Sequence, residues 1–419
     1  MLFYLSCLVL AAVLAHLCLS LFYRAKQSRH AHARLIAEGR LLEQQVDTLI
    51  RESAIRENQL NAWSGWRKFR VIDIVQENDT VKSFYLQAHD GKSLPRFLPG
   101  QHLTFRLKIP GQTKPVIRCY SLSDDANQTD HFRISVRRQP APVGREDVPD
   151  GLSSCYLHDE IMVNDVLDVK APSGKFYLDT GARGPIALVA GGIGLTPLLS
   201  MLNTLFSQHS NRPIFLFYAV RDVNDLIMAS HLSALENEMS GLHIHYYFAE
   251  LDDDLISSSK HQGFVSVQGM FDLMSDAVQP LEVDFYVCGP PPMMEAIVGG
   301  LEEKQVDSQN IHFESFGPAS VGKHKKPVDD QKEGDTYSVK FHIADKTLEW
   351  NSSCGSLLET AEEAGIAMES GCRSGNCGAC LTAVLSGDIE YLEEPGIEIE
   401  VGSCLPCISI PKKNVILNA

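Results

Sequence analysis

Cys372-Arg373-Ser374-Gly375-Asn376-Cys377-Gly378-Ala379-Cys380 decides how the rest of the chain is read. Its spacing is C-x4-C-x2-C. Iron prefers soft thiolate ligands, and this spacing supplies three of the four that a [2Fe–2S] cluster needs. Gly371, Gly375 and Gly378 leave the backbone free to fold a tight loop over the sulfurs. Structural zinc usually takes two short cysteine or histidine pairs; Cys377–Cys380 and Cys404–Cys407 are both C-x2-C, and it is the C-x4-C step from Cys372 to Cys377 that favours the cluster. The fourth thiolate must come from outside the loop, and two candidates follow, Cys404 and Cys407.

The chain has 419 residues, enough for about three domains. It is 44% hydrophobic, so each can bury a core. A net charge of −16 argues against nucleic acid as a partner. Eleven cysteines would suggest disulfides in a secreted protein, but a cluster claims several of them and a reducing compartment fits better.

Residues Leu2 to Tyr23 form an uncharged run long enough to cross a bilayer as a helix. No basic segment precedes it and no A-x-A site ends it, which argues against a cleaved signal peptide. Arg24, Lys26, Arg29 and Arg34 follow at once and place the remainder on the cytoplasmic side. The expectation is a single-pass protein of a bacterial inner membrane, with residues 1–23 as anchor and 24–62 as a helical stalk. Leu35, Leu42 and Leu49 recur every seven residues, so the stalk is either a short coiled coil joining two copies or a solvated amphipathic helix.

From Trp66 the pattern turns to period two. Phe69–Ile74, Ser83–Leu86, His102–Leu107 and Phe132–Val136 read as short antiparallel strands of a barrel spanning residues 63–181. Within it stands Arg118-Cys119-Tyr120-Ser121. A guanidinium fork pairs with phosphate, and a tyrosine and a serine can flank a flat ring. This R-x-Y-S resembles the flavin motif of the ferredoxin–NADP reductase superfamily. Gly151-Leu-Ser-Ser154 is similar to that family's G-x-x-S segment, where a helix start meets the flavin pyrophosphate. Arg137 matches the basic residue on the intervening strand, and Pro99–His102 and Ala171–Phe176 match further landmarks. The resemblance is strongest to the reductase half of flavohaemoglobins and to reductases of hybrid-cluster proteins. It implies FAD, held by Arg118, Tyr120, Ser121, Arg137, Gly151 and Ser154.

Residues 182–318 read as an α/β nucleotide domain with a parallel sheet. Pro185–Ala190 is a buried-strand run, followed by Gly191-Gly192-Ile193-Gly194-Leu195-Thr196-Pro197 and a helical stretch from Leu198 to Phe206. Strand, glycine turn and helix start make a pyrophosphate cradle. Ile214–Tyr218 and Phe285–Val287 are further strands, the second leading into Cys288-Gly289-Pro290. Both glycine stretches resemble the family's nicotinamide motifs. The resemblance implies that Gly191, Gly192, Gly194, Thr196, Cys288, Gly289 and Pro290 bind the nucleotide. It also implies that Glu314 and Phe316 approach the flavin and that Ser121, Cys288 and Glu314 serve hydride transfer. It favours NADH and leaves NADPH open.

Residues 319–335 read as a linker rich in Lys, Asp, Gly and Pro. Residues 336–419 then resemble a β-grasp, α+β ferredoxin: a hairpin from Tyr337 to Trp350, a helix from Leu357 to Ala364, the cysteine loop, and a closing strand at Val415. In that likeness the last ligand precedes a proline by four positions. This implies Cys407, ahead of Pro411, beside Cys372, Cys377 and Cys380.

The resemblance covers about 350 of the 419 residues, in the order flavin barrel, nucleotide domain, ferredoxin. It implies a reductase passing electrons from NAD(P)H through FAD and a [2Fe–2S] cluster to a separate acceptor protein. The anchor points to a membrane oxygenase or lipid desaturase. A soluble hybrid-cluster or Rieske-type protein is the alternative acceptor. A respiratory subunit is a third reading, against which the domain order stands, since sodium-pumping quinone reductases carry the ferredoxin first. A non-catalytic redox sensor would not need all three sets of motifs.

Overall fold

The computed structural model describes residues 63–141, 150–250, 257–274, 276–316, 336–375, 377–393, 395–397 and 399–419. The expected anchor and stalk (residues 1–62) and the linker lie outside the described residues. Among the described residues, no helix is long and apolar enough to cross a membrane.

The first sheet holds β1 (Arg67–Asn78), β2 (Val81–Ala88), β3 (His102–Leu107), β4 (Val116–Ser121), β5 (Phe132–Arg137) and β6 (Val166–Val169), in the order β4-β3-β6-β1-β2-β5. Every pairing in it is antiparallel. A bridge between Leu122 and Ile134 joins the two ends and closes the barrel. The inward set predicted by alternation is buried: Phe69, Val71, Phe84, Leu103, Phe105, Phe132 and Ile134 pack into one core. Helix α1 (Leu152–Asp159) starts at Gly151 and lies beside the end of β5, with the His158 ring 2.8 Å from the Val136 carbonyl.

The second sheet holds β7 (Ile186–Gly191), β8 (Ile214–Val220), β9 (Leu242–Phe248), β10 (Lys260–Gln262), β11 (Asp284–Gly289) and β12 (Ile311–Ser315). Their order is β10-β9-β8-β7-β11-β12, and all pairings are parallel. Central strands of such a sheet are covered on both faces, which is why Ile186–Ala190 is apolar throughout and wholly buried. Helices α2 (Leu195–Ser207) and α3 (Ala229–Glu238) pack on one face. Helices α4 (Val267–Met274) and α5 (Pro291–Glu303) pack on the other. The strand tips after β7 and β11 therefore open side by side, where α/β sheets bind ligands.

The third unit holds β13 (Tyr337–Phe341), β14 (Lys346–Trp350), helix α6 (Leu357–Glu363), β15 (Thr382–Ser386), β16 (Ile389–Tyr391), β17 (Ser403–Cys404), β18 (Ser409–Pro411) and β19 (Val415–Leu417). Its main sheet runs β14-β13-β19-β15-β17, with β13 and β19 parallel. Ser356 and Glu359 form a capping box that fixes the start of α6. The helix then buries Leu357, Leu358 and Ala361, while Trp350 is buried with its indole N–H on the Gly355 carbonyl at 2.8 Å. Between α6 and β15 runs the cysteine loop.

Candidate active site

One cleft of about 500 Å3 takes residues from all three units. The barrel gives Arg118, Tyr120, Ser121 and Arg137; the parallel sheet gives Gly191, Gly192, Gly194, Thr196, Gly289, Pro290, Glu314 and Phe316; the cysteine loop gives Cys372. A volume of this size suits a cofactor.

Strand alternation sorts the flavin motif. Ser121 pairs across the ladder with His102, and Cys119 with Thr104, so these four share a face. Arg118 and Tyr120 point the other way; the Tyr120 ring meets Phe105 edge-on, centroids 5.6 Å apart. Burial pushes the Tyr120 phenol well above its ordinary range, so it stays a neutral donor. Arg118 Nη1 donates to the Ile117 carbonyl at 2.7 Å, which steadies the guanidinium at the cleft wall. The Arg137 guanidinium lies beside Gly192, 3.6 Å from where a Cβ on that glycine would sit. It thus stands between the flavin and nucleotide motifs.

The nucleotide cradle is built by close approach. A Cβ at Gly194 would overlap the Cys288 carbonyl, so glycine is required for the start of α2 to reach the tip of β11. Thr196 Oγ1 donates to the Ile193 carbonyl at 3.0 Å and holds the first turn. Cys288 is buried, and burial followed by the neighbouring Glu314 charge raises its thiol well above the usual range. Gly289, next to it, lines the cleft; the Cys288 side chain does not.

Glu314 pairs across the β11–β12 ladder with Cys288 and lies almost fully buried. Its Oε1 is 3.8 Å from His102 Nδ1, too long for a direct hydrogen bond. Its Oε2 is buried with no hydrogen-bond partner among the described residues. Burial, and then the negative charge of Cys372, push this carboxyl up to about 8. Burial also lowers His102. An unpartnered buried carboxyl oxygen at the wall of a large cleft is what a site built around an absent polar ligand leaves behind.

At the cysteine loop, the Cys372 amide donates to Cys377 Sγ at 3.2 Å and the Cys377 amide to Cys372 Sγ at 3.3 Å. The Ser374 and Ala379 amides also point at these sulfurs, each at 3.5 Å. Gly375 takes φ +74° with Ile408 against it, a backbone and a space that both require glycine. Cys380 Sγ lies 3.2 Å from Cys407 Sγ. The four thiols therefore fall into two pairs, Cys372 with Cys377 and Cys380 with Cys407, as two bridged irons with two thiolates each would need. Cys404 is fully buried in the apolar core with Val339, Phe341 and Trp350.

Two expected flavin residues stand back from the cleft. Gly151 and Ser154 do not line it; the Ser154 hydroxyl accepts from the Gln139 amide at 3.2 Å, and Gln139 is the lining residue. His102, Cys119 and Gln139, which carry no role predicted from the sequence, also line the cleft. His102 closes the Pro99–His102 turn, and a lone histidine on a strand carries no signal of its own. Cys119 occupies the variable position of R-x-Y-S.

A flavin-motif barrel, a nucleotide cradle and a thiolate loop around one cleft define an iron–sulfur flavoprotein oxidoreductase. Three sequence families match: an oxidoreductase FAD-binding domain at residues 68–177, an oxidoreductase NAD-binding domain at 188–299 and a 2Fe-2S iron-sulfur cluster binding domain at 341–412. A flavohemoprotein of Bacillus cereus is 36% identical over 274 residues, covering 64% of this chain and 66% of that protein. The chain thus spans just under two thirds of the curated flavohemoprotein's length. The flavohem-like FAD/NAD-binding domain of nitric oxide dioxygenase from Vibrio cholerae is 30% identical, with a TM-score of 0.52 over 60% of this chain and 99% of that one. Phthalate dioxygenase reductase, described as a modular structure for electron transfer from pyridine nucleotides to [2Fe-2S], is 25% identical. Its TM-score is 0.52, over 86% of this chain and 99% of its own. The chain belongs to the ferredoxin–NADP reductase superfamily, in the branch that carries a 2Fe-2S domain after the nucleotide domain.

Proposed function

We propose that this oxidoreductase passes electrons from NAD(P)H to a separate membrane-associated acceptor protein, an oxygenase or lipid desaturase. The observation that carries the electron path is the single cleft in which Arg118, Gly192, Glu314 and Cys372 meet. FAD, when bound, takes a hydride and releases its electrons singly to the cluster, and the protein supplies position and environment. Arg118 and Arg137 would pair with phosphates, with Gly151 and Ser154 acting through the Gln139 backbone. The glycine turn from Gly191 to Gly194, with Thr196, Gly289 and Pro290, would hold the nucleotide. Ser121 and Glu314 would flank the reacting rings, with Cys288 buried behind Gly289 and Phe316 covering the rings. Cys372, Cys377, Cys380 and Cys407 would hold the cluster. NADH is the donor we favour.

The membrane part of the reading rests on Leu2–Tyr23 and the basic residues after it. Tethering raises the local concentration of a reductase near a bilayer-embedded acceptor. Between Asn351 and Glu400 there are ten acidic residues and one arginine, a charge that would steer a basic partner at salt-dependent rates. The test compares the full chain with one lacking residues 1–62, produced to equal abundance in cells. The full chain should sediment with membranes and support acceptor turnover at least about tenfold better, as effective concentration requires. Equal turnover from the shortened chain would sink the membrane reading and leave a soluble acceptor.

A further inference from the structure

The sulfur atoms of Cys119, Cys372 and Cys377 all lie within 4.8 Å of one another. The last two belong to the cluster loop, whereas Cys119 lies on β4 between Arg118 and Tyr120 of the flavin motif. A second contact joins the same two segments: a Cβ at Gly371, just before the loop, would come within 3.2 Å of Ile117 Cγ2 on β4. The cluster loop therefore rests on the flavin strand at this point. Four thiolates complete a [2Fe–2S] site, and Cys380 and Cys407 already form the second pair, so Cys119 is a fifth thiol. Thr104 Oγ1 stands 3.4 Å from its sulfur and fixes it from the barrel side.

We propose that Cys119 is a positioning residue whose S–H, held on the flavin strand, donates to the Cys372–Cys377 sulfur pair and raises the reduction potential of the cluster. The inference rests on the cluster reading for those two cysteines and is independent of the acceptor. Hydrogen bonds to ligand sulfurs stabilise the more negative, reduced cluster, and this is one of the levers that set its potential. Cys119 therefore joins the strand of the flavin motif to the two thiols that would hold one iron of the cluster.

The test uses full-length protein with FAD and cluster loaded anaerobically, in four forms: wild type, Cys119→Ser, Cys119→Ala and Cys119→Val. Iron, sulfide and FAD are counted, and the cluster is titrated by electron paramagnetic resonance against redox mediators. All forms should retain the cluster. Cys119→Ala and Cys119→Val should reduce about tenfold less favourably at equilibrium, which for a one-electron couple is a shift of about 59 mV to more negative potential. Cys119→Ser keeps a donor and should stay within about threefold of wild type. Valine fills the thiol's space without its donor, so the reading survives an alanine variant that fails to load. Unchanged potential and line shape in either donor-free variant would overturn the proposal alone. Loss of iron from all three variants would overturn it by making Cys119 a ligand. A wild-type protein holding no cluster would take the electron-path reading down as well.

Discussion

Cys407→Ser is expected to abolish the [2Fe–2S] signal, while Cys404→Ser keeps it. The two cysteines are three positions apart in the sequence and both are buried, so burial does not separate them. Their partners do. Cys407 Sγ stands 3.2 Å from Cys380 Sγ, whereas Cys404 sits on β17 paired with Thr382 and packs into the apolar core. A serine at Cys404 trades a buried thiol for a hydroxyl and should lower stability by about 1–2 kcal/mol, the cost of an imperfectly satisfied buried polar group. A serine at Cys407 replaces a soft ligand by a hard one and leaves an iron with one thiolate. NADH should still bleach the flavin of Cys407→Ser, but electron delivery to a one-electron protein acceptor should fall at least about 100-fold, since the cofactors carry that step. Iron and sulfide analysis of both variants checks the assignment. The reverse pattern would move the fourth ligand to Cys404 and require the loop around Leu405 to rearrange.

Arg118→Ala should yield protein that purifies largely without flavin. Charge-assisted hydrogen bonds contribute about 1.5–3 kcal/mol each, and a guanidinium fork offers two to a phosphate. Losing both weakens flavin binding by about 100-fold or more, at tenfold per 1.4 kcal/mol. Arg118→Lys keeps the charge without the fork and should recover only part of the affinity. The fold itself should hold, because among the described residues the Arg118 side chain donates to the adjacent Ile117 carbonyl at the cleft wall and not into the core. Flavin-to-protein ratio and quenching of added FAD fluorescence are the readouts. An alanine variant with a full complement of tightly bound FAD would remove Arg118 from the phosphate site.

Much of this architecture is legible in the chain because its signals are local. Alternation in Phe69–Ile74 and His102–Leu107 marks barrel strands, and the apolar run before Gly191 marks a doubly covered parallel strand. The cysteine spacing marks the cluster loop. Strands β9 and β12 were harder to read. Leu242–Phe248 carries His243 and His245 stacked on Phe215 and Phe217, so polar residues occupy half-covered positions near the sheet edge. His312 likewise stacks on Tyr286, with centroids 4.5 Å apart. What the sequence could not show is convergence. Nothing in the spacing of Cys119, His102 and Glu314 announces that the barrel and the parallel sheet bring them to one cleft. Each is an ordinary residue until packing gives it a neighbour. For the fourth cluster ligand the resemblance implies Cys407 over Cys404, and the 3.2 Å approach of Cys407 Sγ to Cys380 Sγ is the contact that supports that choice.

One chain is expected to conduct electrons from a nicotinamide through FAD to a [2Fe–2S] cluster. Anaerobic mixing of the cofactor-loaded protein with one equivalent of NADH, followed by absorbance and by freeze-quench electron paramagnetic resonance, tests it directly. The flavin band should bleach first, and a rhombic [2Fe–2S] signal should then grow as the flavin re-oxidises in part. Flavin bleaching with no cluster signal at any time, in protein shown to contain iron and sulfide, would contradict it.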